Sequence, residues 1–414
     1  MKRTKNSVQT NRPWLNKKIS LAAIIILAVL IDLPAFAQTG WFPLYPPITP
    51  DFRGVCFPTD CETGYVVGHN GAILKTSDAG QTWTLENSGT AYTLAAVDFP
   101  VDAQIGFAVG WYGTILKTLD SGETWDTMPS GTSENLYAIQ FPTDTDTGYA
   151  AGEGGTILKT IDGGAKWTTV YTGATEWFTS ICFPVDCQVG YVVGSNGCAL
   201  KTTDGGMNWL SQTISADDWF ESVCFPTGTD IGYASGYNCV LYKTINGGET
   251  WVDMNPTETN RYACWHVVFF VDDQVGFIGG TGSDIRKTCN GMTTWVSQGV
   301  PMGIIFDLEF PVNGDTGFAV GATGILKTID GGGMAVSEDA HRFIRPALLA
   351  VPNPFISHTC IPGREAESFC VWDVAGRSVG VYPGSAIGID LKPGIYFVYS
   401  LQNSGTGTRI VKIK

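Results

Sequence analysis

The chain has 414 residues, 44% of them apolar and 15% charged, with a formal net charge of −14. Binding to nucleic acid needs a Lys/Arg surface that neutralises phosphates, so this acidity excludes that class of partner. The length accommodates one large domain and a small second one, with enough residues for a packed core.

Residues 1–37 read as an export signal. Lys2, Arg3, Lys5, Arg12, Lys17 and Lys18 precede the apolar run Leu21–Ile31, and Ala35-Phe36-Ala37 offers a small-x-small cleavage site before Gln38. The apolar run is too short to span a bilayer comfortably. The expected mature chain is therefore secreted or held at the outer cell surface, more acidic still, with no membrane span after signal removal.

A repeating unit occupies 38–335. Tryptophans at Trp41, Trp83, Trp125, Trp167, Trp209, Trp251 and Trp295 are spaced by 42 residues five times and then by 44. A first run ends in Phe-Pro (Phe57, Phe99, Phe141, Phe183, Phe225, Phe310), whereas Phe269 is followed by Phe270. A Gly-Tyr/Phe run such as Gly190–Gly194 comes next, then a Gly-x-Ile-Leu-Lys-Thr run such as Gly113–Thr118, then a Thr-x-Asp-x-Gly-x-x-Trp turn. The runs are short, rich in β-branched and aromatic residues and bounded by turn formers, so each reads as a strand. A period near forty with four strands per unit predicts an all-β, seven-bladed β-propeller.

The turn aspartates Asp78, Asp120, Asp162, Asp204 and Asp330, with Asn246 and Asn290 in their places, are expected to accept backbone N–H bonds two residues on, while glycines supply positive φ. A residue needed once for chemistry has no reason to recur seven times, so these positions are structural. The seven lysines Lys75, Lys117, Lys159, Lys201, Lys243, Lys287 and Lys327 are expected to lay their stems over apolar neighbours and keep the ammonium in water. The last box, Asp330-Gly-Gly-Gly-Met334, lacks its tryptophan, and Trp41 lacks a box. The N-terminal segment Trp41–Leu44 is therefore expected to be the fourth strand of blade seven, which closes the ring and removes a sheet edge.

All 11 cysteines lie after the signal. The phrases Cys56-Phe-Pro-Thr-Asp-Cys61 and Cys182-Phe-Pro-Val-Asp-Cys187 each bracket a turn and suggest local disulfides, and Cys360 and Cys370 could join neighbouring strands. Cys198, Cys224, Cys239, Cys264 and Cys289 are left without an assigned pairing. No Cys-x₂-Cys spacing of a zinc site occurs, and neither a metal nor another cofactor is expected.

Residues 336–347 carry no repeat signal and read as a linker. From 348 to 414 the phrases Val351-Pro-Asn-Pro-Phe355, Val371–Val379, Leu391–Val398 and Arg409–Lys414 alternate as strands, split by Ala-Gly-Arg and Lys-Pro-Gly turns. They fit a small Ig-like β-sandwich.

The repeated phrase Gly-Tyr-x-x-Gly-x-x-Gly-x-Ile-Leu-Lys-Thr-x-Asp-Gly-Gly-x-x-Trp resembles Asp-box (BNR) repeats, and most of all the photosystem II assembly and stability factors of chloroplasts and cyanobacteria, over about Trp41–Met334. That resemblance implies a non-enzymatic scaffold that holds a protein subunit. The tail phrases resemble the C-terminal sorting domain of type IX secretion substrates, which implies the secretion machinery as a partner.

Propeller ligands sit on the face where strand four runs into strand one and strand two into strand three, opposite the Asp-box turns. Four residues before the strand-one Phe stand Arg53, Ala95, Tyr137, Thr179, Glu221, Trp265 and Phe306. The neighbouring loops add Trp177, Trp219, Arg261, His69, Trp111, Tyr112, Glu153 and Tyr237. The ligand-binding candidates among them are Arg53, Trp111, Tyr112, Tyr137, Trp177, Trp219, Glu221, Tyr237, Arg261 and Trp265, an aromatic rim suited to a protein segment or a glycan. A sialidase-type site needs three converging arginines, and few basic residues remain once the repeat lysines are set aside. A two-carboxylate glycosidase would have to use Glu221 with Asp307, or Asp217 and Asp218 beside Trp219. The expectation is a secreted or cell-surface, non-catalytic binding or assembly scaffold. The alternative is a secreted glycan-binding or glycan-hydrolysing propeller.

Overall fold

The computed structural model describes residues 40–171, 175–215, 218–254 and 264–333, and in the C-terminal part 368–373, 378–383, 394–400 and 407–412 with three single positions between them. The expected signal 1–37 and linker 336–347 lie outside the described residues. The chain divides into two compact units at Val336/Ser337.

The first unit is a seven-bladed propeller of four-stranded antiparallel sheets. Blade one runs Phe52–Cys56, Gly64–Gly68, Ile73–Thr76 and Thr84–Glu86. Second strands such as Gly64–Gly68 are buried at every position because a neighbouring blade covers each face. The outer strands are short, two to four residues, which limits the free edge. In blade seven the fourth strand is Phe42–Leu44, paired with the third as Phe42↔Lys327, Pro43↔Leu326 and Leu44↔Ile325. The ring closes as the repeat arithmetic required.

Aromatic sandwiches join the blades. Tyr65 of blade one stacks on Phe99 of blade two at 3.9 Å, and Phe99 meets Trp125 edge-on at 6.0 Å. Across the closure Phe318 stacks on Phe57 at 3.7 Å, and Trp41 packs edge-on against Phe310 at 5.8 Å, in the place the box tryptophans take elsewhere. The glycine that opens each second strand is part of this packing. A Cβ on Gly64 would collide with the Phe57 ring, which lies flat over it.

The turn chemistry differs in detail from expectation. Asp78 Oδ1 accepts the Thr76 hydroxyl at 2.9 Å and the Thr82 N–H, four residues on rather than two, at 2.8 Å. Thr76 Oγ1 in turn accepts the Gly80 N–H at 2.9 Å. Two-residue bonds occur instead in the turns between strands one and two, where Asp60 Oδ1 accepts the Glu62 N–H at 2.8 Å. Asn246 reproduces the box, accepting from Thr244 Oγ1 and the Thr250 N–H at 2.9 and 3.0 Å. Asp330 accepts the Thr328 hydroxyl at 2.9 Å as the other boxes do and also the Gly40 N–H at 3.0 Å, which ties the closing segment to the last box. Nor do six of the seven repeat lysines, all but Lys75, leave their heads in water. Lys117 Nζ donates to Gly163 O and Lys159 Nζ to Gly205 O, both at 2.7 Å, so each ammonium pins the box of the next blade.

The cysteine expectation is corrected. Cys56, Cys61, Cys182 and Cys187 are all free thiols. Cys56 belongs to the core between blades one and two, while Cys61 packs on the core between blades seven and one. Cys182 and Cys187 are divided in the same way between the cores on either side of blade four. Each phrase places its thiols on opposite faces of one sheet, where no bond can form.

In the second unit Ser368–Asp373, Ser378–Pro383, Gly394–Ser400 and Gly407–Lys412 form one antiparallel sheet in which the second of these strands pairs with the first, the first with the third and the third with the fourth. Cys370 falls on the first of these strands, and Cys360 lies outside the described residues. Among the described residues no helix is long and apolar enough to cross a membrane.

Candidate functional site

Each first strand lines the axis of the ring, and in every one its pairing with the second strand slips by one residue near the start. The slips fall at Phe52/Gly54, Leu94/Ala96, Leu136/Ala138, Phe178/Ser180, Phe220/Ser222, Trp265/Val267 and Ile305/Asp307. A bulge re-aims the extra side chain. The seven bulged residues, Arg53, Ala95, Tyr137, Thr179, Glu221, His266 and Phe306, all line one cavity of about 720 Å³ that draws on every blade. Its wall is completed by Trp177 and Trp219 ahead of first strands and by Trp111 and Tyr237 at the turns between strands two and three.

Ring contacts run around most of this funnel. Tyr137 meets Trp177 at 6.3 Å, Trp177 meets Trp219 at 5.5 Å and Trp219 meets Tyr237 at 5.5 Å. Tyr237, His266 and Phe306 continue it at 6.1 and 5.2 Å. The Arg53 guanidinium lies 3.9 Å over Phe306 and 3.2 Å from His69 Nε2, and His69 meets Trp111 at 6.2 Å. The chain of contacts breaks between Trp111 and Tyr137. There the Tyr137 hydroxyl donates to Glu153 Oε1, and Asn135 Oδ1 accepts the Tyr112 N–H at 2.9 Å.

Burial lowers the Arg53 pKa from its ordinary value, partly opposed by Asp51 at 4.0 Å. Burial and the Arg53 charge likewise lower that of His69. Cys264 Sγ lies 3.5 Å from His266 Nδ1, and Glu221 Oε2 lies 3.8 Å from that same nitrogen. Burial raises the Cys264 pKa far above the ordinary thiol value. Raised so far, the thiol is held in its protonated form at neutral pH. No group of three His, Cys, Asp or Glu side chains among the described residues could hold a metal ion.

Of the rim candidates, Arg53, Trp111, Tyr137, Trp177, Trp219, Glu221 and Tyr237 line the funnel. Tyr112 is exposed outside it, against Tyr92 at 4.7 Å. Arg261 lies outside the described residues. Trp265 is corrected: it is 2% exposed in the core between blades. Blade six places Phe270, not Phe269, in the position of Phe57, with Phe270 stacked on Tyr233 at 3.6 Å. Counting from Phe269 shifts the strand by one residue and exchanges its faces, so the funnel residue is His266. The doubled phenylalanine was the signal for it.

Of the carboxylates offered for glycosidase chemistry, Glu221 lines the funnel, and Asp307 and Asp218 are engaged by other partners. Asp307 Oδ2 accepts the Val55 N–H at 3.0 Å, and burial raises its pKa to about 7. Asp218 accepts the Tyr242 hydroxyl at 2.9 Å, and Asp217 lies outside the described residues. Arg286 pairs with Asp284 at 2.8 Å, and among the described residues Arg53 is the one arginine of the funnel.

The sequence profile of the photosynthesis system II assembly factor YCF48 matches residues 33–131, 85–174 and 165–261. Among solved structures, YCF48 from Cyanidioschyzon merolae superposes with a TM-score of 0.58 at 18% identity, covering 70% of this chain and 98% of that chain. YCF48 bound to D1 peptide gives 0.59 at 19% identity, covering 72% and 99%. The GH74 xyloglucanase from Xanthomonas campestris gives 0.60 at 14% identity, covering 78% of this chain and 59% of that chain. At these identities the likeness is one of fold. Among curated proteins none matches in sequence.

Proposed function

The chain belongs to the YCF48 family of photosynthesis system II assembly factors, and from that premise we propose that it is a non-catalytic scaffold whose funnel holds an extended segment of another protein. The observation that carries this reading is the convergence of all seven bulged residues on one aromatic-walled cavity. Its rings meet tilted or edge-on, Trp177 against Trp219 at 87° for instance, and so present clefts for side chains rather than one flat sugar platform. The structural neighbour bound to D1 peptide supports the same reading.

Export belongs to the proposal. Residues 1–37 direct secretion, and 348–414 fold as a sorting sandwich that engages a type IX machinery and leaves the propeller in the medium or on the outer surface. N-terminal sequencing of exported protein is expected to begin at Gln38, and removal of 348–414 is expected to stop export.

A second reading, glycan hydrolysis, has the xyloglucanase neighbour in its favour. Against it stands a funnel whose described lining holds a single carboxylate, Glu221, where the chemistry needs two across a cleft. The test is binding of the full chain to an array of random 12-residue peptides, paired with assay of sugar release from xyloglucan. Saturable peptide binding, weakened about tenfold or more in Trp177→Ala/Trp219→Ala, with no sugar release, is expected. Sugar release that disappears in Glu221→Gln would replace the scaffold reading.

A further inference from the structure

Glu221 is the one carboxylate of the funnel's described lining, and among the described residues His266 Nδ1, at 3.8 Å, is the one basic group within ion-pair distance of it. Its side chain is 20% exposed, its contact with His266 at 3.8 Å exceeds hydrogen-bond distance, and among the described residues no N–H or O–H bonds to it. A carboxylate that no donor hydrogen-bonds keeps its accepting positions open to a ligand in the funnel. Arg53 does not reach it. That guanidinium is held at blade one by Phe306, His69 and Asp51. Among the described residues the blade-one side of the floor thus carries a cation held by neighbours of its own, and the blade-five side an anion that no donor hydrogen-bonds and that Arg53 acts on through charge alone.

The rings beside Glu221 suit a cation as well. Trp219 immediately precedes its strand, and Tyr237 stands across the same blade, 5.5 Å from Trp219 and 6.1 Å from His266. Aromatic faces attract a desolvated ammonium or guanidinium through the ring quadrupole, and a carboxylate behind them adds a charge-assisted hydrogen bond. The net charge of −14 favours approach of a cationic ligand.

We infer that Glu221, with the rings of Trp219 and Tyr237, is a subsite for the cationic head of a lysine or arginine side chain on the bound segment. The inference rests on the peptide reading of the funnel, and two probes separate the two claims. The first is calorimetric titration of the full chain with terminally blocked pentapeptides that differ only at the centre: Lys, Arg, norleucine or Glu. The Lys and Arg peptides are expected to bind about tenfold or more tighter than the norleucine peptide, and the Glu peptide to bind weakest. Glu221→Gln is expected to bring Lys and norleucine within about twofold at an unchanged thermal midpoint.

The second probe is N-butylguanidinium, followed by saturation-transfer NMR, with binding expected to wild type and lost in Glu221→Gln. Peptides that bind without preferring a cation, or butylguanidinium that binds both proteins alike, would overturn the subsite and leave the peptide reading standing. Butylguanidinium binding that depends on Glu221, with no peptide bound, would keep the subsite and remove the peptide reading. Failure of both probes would overturn both.

Discussion

Thr160 shows how little the recurrent turn leaves to chance. Its hydroxyl donates to Asp162 Oδ1 and accepts the Gly164 N–H, both at 2.9 Å, and the residue is 1% exposed. Thr160→Val keeps the shape and strands the Gly164 N–H, so a loss of about 1–3 kcal/mol is expected in urea unfolding at unchanged m value. Asp162→Asn keeps the accepting oxygen, as Asn246 does in blade five, and is expected to leave the midpoint in place. Three other acids act in the opposite sense from the box aspartates. Burial raises the pKa of Asp98 and Asp307 to about 7 and that of Glu309 to about 8, although Phe141, Val55 and Phe57 each donate an N–H to one of them. The unfolded chain loses those protons near pH 4 and the folded chain keeps them to about pH 7–8, so their contribution to stability falls as pH rises through that window. Melting is expected at higher temperature at pH 5.5 than at pH 8.5, with a smaller difference in Glu309→Gln. An equal difference in the two proteins would contradict this reading. The repeat made the box legible at residue scale, because seven copies of Thr-x-Asp leave little else for those residues to be. The shifted acids were not legible, since Asp98 and Glu309 look like surface residues until the closed ring places each beside the next blade's backbone.

At the scale of strands, the same periodicity made the blades and their closure readable and hid the bulges. Alternation along Phe52–Cys56 does not reveal that Arg53 is the extra residue of a slipped pairing, because a bulge is a property of two strands together. The slip explains both the success and the one error at the funnel floor: the count from the strand-one Phe reached the bulged residue wherever that Phe was unambiguous, and failed at Phe269-Phe270. The paired cysteine phrases misled for a related reason, since spacing along the chain does not show which face of a sheet each thiol takes. Alkylation after denaturation without reductant is expected to label Cys56, Cys61, Cys182 and Cys187 all as thiols in peptide maps; a Cys56–Cys61 cross-link would contradict the blade geometry. The closing strand gives a second test at this scale. Removing residues through Leu44 deletes its three backbone pairs with the third strand of blade seven, the Asp330 tie to Gly40 and the 2.8 Å bond from Trp41 Nε1 to Gln298. The edge of Gly324–Thr328 would then be open. A lower thermal midpoint and concentration-dependent association in sedimentation are expected, whereas a monomer of unchanged midpoint would show that closure contributes little.

For the whole molecule, the ring is a rigid frame that repeats what holds it together and varies only what it presents at one end. Composition excluded a phosphate-binding surface, and the recurring unit separated scaffold positions from variable ones. It could not order the variable ones in space, which is why Tyr112 was grouped with Trp111 although only Trp111 reaches the funnel. Nor could it show that Asp307 points into the ring of first strands and leaves Glu221 as the lone described carboxylate of the cavity. The measurement that tests the central claim most directly is hydroxyl-radical footprinting of the full chain with and without a saturating array-selected peptide. Protection is expected to concentrate on Trp111, Trp177, Trp219 and Tyr237 around the funnel, with the exposed Ile161 and Ile245 beside the box turns unchanged. Protection at Ile161 and Ile245 with the funnel tryptophans still reactive would place binding at the other end of the ring and contradict the account.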